Sequence, residues 1–196
     1  MENGGSGEDG PQDCPPRGEG LDLFAVVIYI PDPLGRFVDR LRRELVPGCS
    51  MRAHVSVLPP RPLAVDWRVA CEQARVLAET WTPFEIEASS VQVFSNTSVV
   101  YLQIKAGARQ LHRMHEAMNT GPLEFREPFA YHPHITLAQD IPHDSVPAIR
   151  DLAARRWERF HQARSFRADR LVFVRNTDEE CWKDLSEFSL GAVAVR

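Results

Sequence analysis

Four things are scarce in this 196-residue chain, and each scarcity excludes something. Only Lys105 and Lys183 are lysine among 23 basic residues, and the formal net charge is −4. A protein that grips long nucleic acid through many phosphates is usually basic, so that class is disfavoured. The cationic surface that remains is almost wholly arginine, whose planar fork suits a small or terminal phosphate. The four cysteines, Cys14, Cys49, Cys71 and Cys181, show no CxxC spacing, which leaves neither a zinc knuckle nor a disulfide framework. The longest largely apolar run, residues 21–30, is too short to cross a bilayer and follows an acidic, Gly-rich head rather than a basic one. No membrane association is expected, and reduced thiols point to a cytoplasmic protein.

What is present is ordinary globular material, 43% hydrophobic and 26% charged, and its length suits a single core. Residues 1–19 combine Gly, Pro and acidic side chains with almost nothing to bury, so a disordered tail is expected there and one domain over residues 20–196. Hydrophobic periodicity predicts strands over 23–30, 52–58, 84–94, 98–106, 131–139, 166–176 and 182–192. Helices are predicted over 35–45, 65–81, 108–121 and 147–164. Phe37, Val38, Leu41 and Leu45 form the apolar stripe of the first helix, with its arginines opposite. Val69, Val76, Leu77 and Trp81 form that of the second, and Leu111, Met114 and Met118 that of the third. The arginine-rich stretches 36–43 and 150–164 read as solvent faces. The element order, β-α-β-α-β-β then α-β-α-β-β, suggests an internal duplication.

Two short segments carry the chemistry. HVSV (54–57) and HITL (134–137) share the pattern His, apolar, hydroxyl, apolar, each in a predicted strand. Alternate residues of a strand share a face, so His54 lies beside Ser56 and His134 beside Thr136, while Val55, Val57, Ile135 and Leu137 turn into a core. With seven histidines in the chain, about 0.1 such matches are expected by chance. The HDS at 143–145 lacks the apolar back and reads as a loop. Two imidazoles facing one cleft can divide the work of base and acid, and two hydroxyls can donate to the oxygens of a tetrahedral anion. A phosphodiester is the natural ligand, and this chemistry needs no metal or other cofactor. A metal site built from His132, His134 and His54 is the weaker alternative, because no Asp, Glu or Cys sits at ligand spacing nearby. Arg52, Arg61 and Tyr131 flank the two strands and are candidate contacts to base or phosphate.

The paired motifs, together with the opening strand LFAVVIYIP and the closing WKDLSEFSLG, resemble the 2H phosphoesterase superfamily, most closely its RNA 2',3'-cyclic phosphodiesterase branch, the 2'-5' RNA ligase family. The resemblance covers residues 22–191. It implies an α+β, bilobal, pseudo-two-fold fold, with two antiparallel sheets lining a central groove and helices outside. It also implies a cyclic phosphodiesterase with His54 and His134 as catalytic acid and base, Ser56 and Thr136 as phosphate-binding hydroxyls, and possible 2'-5' ligation. Its substrate would be a nucleotide or RNA terminus bearing a cyclic phosphate, and the protein is expected to be a monomer. Gln139 stands where bacterial RNA enzymes of this kind often carry a basic residue, which favours a small substrate. A non-catalytic module binding a nucleotide or RNA end is the alternative of another class.

Overall fold

The computed structural model describes residues 22–94, 96–178 and 181–191; the expected tail lies outside them. Strand β1 (Leu23–Tyr29) leads to helix α1 (Leu34–Leu45), β2 (His54–Arg61) and α2 (Trp67–Glu79). Then come β3 (Phe84–Val93), β4 (Val100–Ile104), α3 (Ala108–Met118) and β5 (His134–Ala138). The chain closes through α4 (Val146–Glu158), β6 (Ser165–Ala168), β7 (Arg170–Asp178) and β8 (Cys181–Ser189).

These strands form two four-stranded sheets, in the orders β2-β1-β7-β8 and β5-β4-β3-β6, with every pairing antiparallel. The duplication suggested by element order is present, but its lobes are not the two halves of the chain. Strands β7 and β8 return to the first sheet, so β2, β1, β7 and β8 match β5, β4, β3 and β6 in turn. The predicted strand over 166–176 is really two strands. β6 pairs with β3 and β7 with β1, and Asp169 is where the chain leaves one sheet for the other. The adjacent exposed Asp169 and Arg170 interrupt the alternation at the crossing, but a two-residue polar step inside an otherwise apolar run is too short for periodicity to divide it.

The helices cross between lobes: α1 packs on β5 and α4, and α3 packs on β2. Helix α1 begins close against the preceding chain, where a Cβ on Gly35 would come within 2.1 Å of the Ile30 carbonyl oxygen. Only glycine fits there. Helix α2 corrects its predicted stripe. Ala70, Ala74 and Ala78 are fully buried against β7 and β8, whereas Val69 and Val76 are 52% and 48% exposed. Small side chains at i, i+4 and i+8 bring the helix axis close to the sheet, and larger residues could not occupy that face. Helix α4 stops earlier than predicted because Arg164 folds back, donating from Nη2 to the carbonyls of Trp157 and Phe160 at 2.8 and 3.1 Å. It thereby adds a side-chain clasp to a turn in which the Trp157 carbonyl already accepts from the Phe160 N–H at 3.1 Å.

Arg61 is 1% exposed and does not reach the groove. Its guanidinium donates to the Pro59 carbonyl (2.9 Å), Asn119 Oδ1 (2.7 Å) and the Leu123 carbonyl (3.0 Å), and pairs with Glu127. It therefore ties the end of β2 to the segment that leads into β5. Arg61→Ala leaves Glu127 and two carbonyls without their partner and should cost about 3–5 kcal/mol of stability, read from denaturant unfolding midpoints.

Candidate active site

β2 and β5 are the outer strands of their sheets and lie beside one another. In both, alternation sorts the motif by face. Val55, Val57 and Ile135 are 0% exposed and Leu137 is 1% exposed, while His54, Ser56, His134 and Thr136 are half-buried on the other face. All four polar side chains line one cavity of about 330 Å³, together with Arg42, Arg52, Gln139 and the β1–β7–β8 face. The buried apolar residue between each His and its hydroxyl anchors the motif to the core.

The two imidazoles are held in the same way. Nδ1 of His54 lies 2.7 Å from the Arg52 carbonyl oxygen, and Nδ1 of His134 lies 2.7 Å from the His132 carbonyl oxygen. A carbonyl can only accept, so each Nδ1 carries the hydrogen and each neutral ring leaves its Nε2 lone pair free. Burial is the largest influence on both rings and lowers their pKa values, with His54 pushed down to about 4. The carbonyl hydrogen bonds work the other way in both, and the Arg42 charge lowers His54 further. The His134 ring also presents its edge to the stacked pair Phe94 and Tyr101, whose centroids are 4.1 Å apart.

A second cavity of about 550 Å³ continues from the first across Ser56, Pro59, Pro60 and His134. Phe94, Phe125, Phe129 and Val99 contribute to its wall, and among the described residues no Lys or Arg lines it. Tyr131 lines this side, with its ring stacked on His115 at 3.9 Å and its hydroxyl donating to the Ser56 carbonyl at 2.8 Å. Its polar end is therefore engaged with the Ser56 backbone rather than open to the groove. Arg52 does reach the cavity and lies over the Tyr29 ring at 4.0 Å. His132 precedes β5 and packs its edge on Phe94 and Tyr101. Among the described residues, no three His, Cys, Asp or Glu side chains gather as a metal site.

Sequence reasoning missed Arg42. The stripe on α1 assigns the arginines to solvent, yet Arg42 is 2% exposed and stands in the cavity wall. Its spacing could have revealed it, because Val38, Leu41, Arg42 and Leu45 fall on the i, i+3, i+4, i+7 face.

The 2'-5' RNA ligase superfamily model matches residues 30–180. The chain belongs to this superfamily of 2H phosphoesterases. A protein of Oceanobacillus iheyensis that bears the provisional name phosphoesterase is 29% identical over 121 residues, covering 61% of this chain and 68% of its own. The crystal structure of apo LigT from E. coli superposes with a TM-score of 0.58 at 16% identity, covering 86% of this chain and 97% of LigT. LigT complexed with 3'-AMP gives the same TM-score at 14% identity, covering 86% and 98%. The superfamily's two-sheet fold is thus shared at low identity, with the motif strands at the adjoining sheet edges.

Because the folded His54 prefers to be neutral, protonation opposes folding. The stabilisation is complete above the unfolded value of about 6.5 and is lost as pH falls toward about 4. The wild type should lose up to about 3 kcal/mol more than His54→Gln across that window, as measured by urea unfolding at a series of pH values.

Proposed function

We propose that the chain is a metal-independent phosphodiesterase that opens 2',3'-cyclic phosphates on small nucleotides or RNA ends. The observation that carries this reading is the equivalence of the two motifs. Two imidazoles with their Nδ1 hydrogens tied to backbone carbonyls, and two hydroxyls, line a single cavity. With Nδ1 occupied, each ring can exchange a proton only through Nε2, so the two can act on opposite sides of one phosphorus.

In the reaction, one Nε2 takes a proton from water as its oxygen attacks phosphorus. The bond from phosphorus to one ring oxygen breaks, and the other imidazolium gives that oxygen its proton. Ser56 and Thr136 donate to the non-bridging oxygens as charge builds on them. With a 5'-hydroxyl in place of water, the same steps form a 2'-5' linkage. The cavity of about 550 Å³, aromatic and without a cation among the described residues, suits the nucleoside, while the His54 side, flanked by Arg42 and Arg52, suits the phosphate. The 3'-AMP bound by LigT supports a nucleotide of this size.

Turnover of a panel of nucleoside 2',3'-cyclic phosphates in excess EDTA tests the reading. His54→Ala and His134→Ala should each lower kcat by about 10²–10⁴-fold in folded protein. Ser56→Ala and Thr136→Ala should each cost about 2–3 kcal/mol of transition-state stabilisation. Full activity in either histidine variant contradicts the mechanism, and a folded wild type inert on every substrate points to a binding module instead.

The rate should also depend on pH in a defined direction. The reaction needs one neutral and one protonated imidazole, and burial lowers both rings below 6.5. The pair is therefore largely neutral above that pH. A kcat/KM profile should peak on its acid side, falling above the peak as the acid is lost and below it as the base is protonated.

A further inference from the structure

Helices α1 and α3 occupy matching places in the two lobes, and their buried faces have identical spacing. Val38, Leu41, Arg42 and Leu45 on α1 correspond to Leu111, Met114, His115 and Met118 on α3. The slot filled by Arg42 in one lobe is filled by His115 in the other. His115 has partners: its Nδ1 bonds the Val57 carbonyl at 2.9 Å, its ring stacks on Tyr131, and its Nε2 lies 3.7 Å from the Glu127 carboxylate. Arg42 differs. At 2% exposure its Nε and Nη1 have no hydrogen-bond partner, and no carboxylate among the described residues pairs with it. A guanidinium cannot shed its proton to escape that position, and a buried, uncompensated charge opposes folding. Leu or Met at this position would pack as the neighbouring residues do.

The side chain stands in the wall of the cavity that holds His54, Ser56, His134 and Thr136, so the groove is where an anion would meet this charge. We propose that Arg42 is the phosphate-binding cation of this groove, its guanidinium donating to non-bridging oxygens of a phosphate ester seated between the motifs. This rests on the phosphodiesterase reading for the identity of the ester, but the anion site itself stands on the unpartnered guanidinium. It also gives the near-symmetric groove a direction. Charge is received on the Arg42 side, and the matching His115 position holds no permanent cation and is already tied through Nδ1 to the Val57 carbonyl. A guanidinium carries paired N–H donors along each of its edges and can meet two phosphate oxygens at once, which a lysine ammonium would not.

Thermal unfolding of the full chain in increasing inorganic phosphate tests this without reference to turnover. In the wild type the midpoint should climb with phosphate, as binding to the folded state requires. Arg42→Met should abolish that climb. Without phosphate the variant should melt higher than the wild type, by about 2–4 °C, because a buried charge has been replaced by a packing side chain. If Arg42→Met does not fold, Arg42→Lys decides, with phosphate affinity expected to fall at least about tenfold. A wild type indifferent to phosphate, a phosphate response undiminished in Arg42→Met, or an unchanged affinity in Arg42→Lys would overturn the assignment. A phosphate response that depends on Arg42 in a chain inert on cyclic nucleotides would leave the anion site standing and remove the phosphodiesterase.

Discussion

Each catalytic candidate in this groove is oriented by one hydrogen bond, from an imidazole Nδ1 to the carbonyl two residues back along its own chain. That contact fixes the tautomer, aims Nε2 into the cavity and partly offsets the burial that drives both rings toward the neutral form. It requires an extended approach to each strand, which Pro133 enforces before His134. In the other lobe, the Asp39 carboxylate accepts from the Ala53 backbone N–H at 2.6 Å and fixes the chain just before His54. The rest of the fold holds these two short stretches side by side. The sheets present β2 and β5 as adjoining edges, and α1 and α3 each cross to pack on the opposite lobe's motif strand.

The buried polar residues show how differently the two sides of the groove are finished. Arg61 and His115 have their donors met by carbonyls and by Glu127, and with Tyr131 they brace the back of the Ser56 segment. Arg42 occupies an equally buried position with no such compensation. A satisfied network makes a site rigid, while an unsatisfied cation beside it makes a site receptive to an anion, and this groove has one of each.

The motif faces were legible in the sequence because a two-residue period puts His54 with Ser56 and His134 with Thr136, whatever surrounds them. The element order, apart from the division of β6 from β7, was legible for similar local reasons. The sheet switch at Asp169 was not, since only the adjacent polar pair Asp169 and Arg170 separates β6 from β7 while they pair with different partners. Nor was the alanine face of α2, because hydrophobicity ranks valine above alanine and takes no account of how closely a helix approaches its sheet. Arg42 was misjudged because arginine usually stays in solvent, and Arg61 because its place beside the motif strand suggested the groove. Arg61 is buried by partners far away in sequence, and Arg42 by a cavity that forms only when the lobes meet.

Long-range proton–nitrogen NMR of the histidine rings, recorded with and without 3'-AMP, tests the account most directly. In the free protein near neutral pH, His54 and His134 should both show a protonated Nδ1 and an unprotonated Nε2, and the nucleotide should shift both Nε2 resonances together. An Nε2–H tautomer in either ring, or a nucleotide that leaves both rings untouched while binding elsewhere, would contradict it.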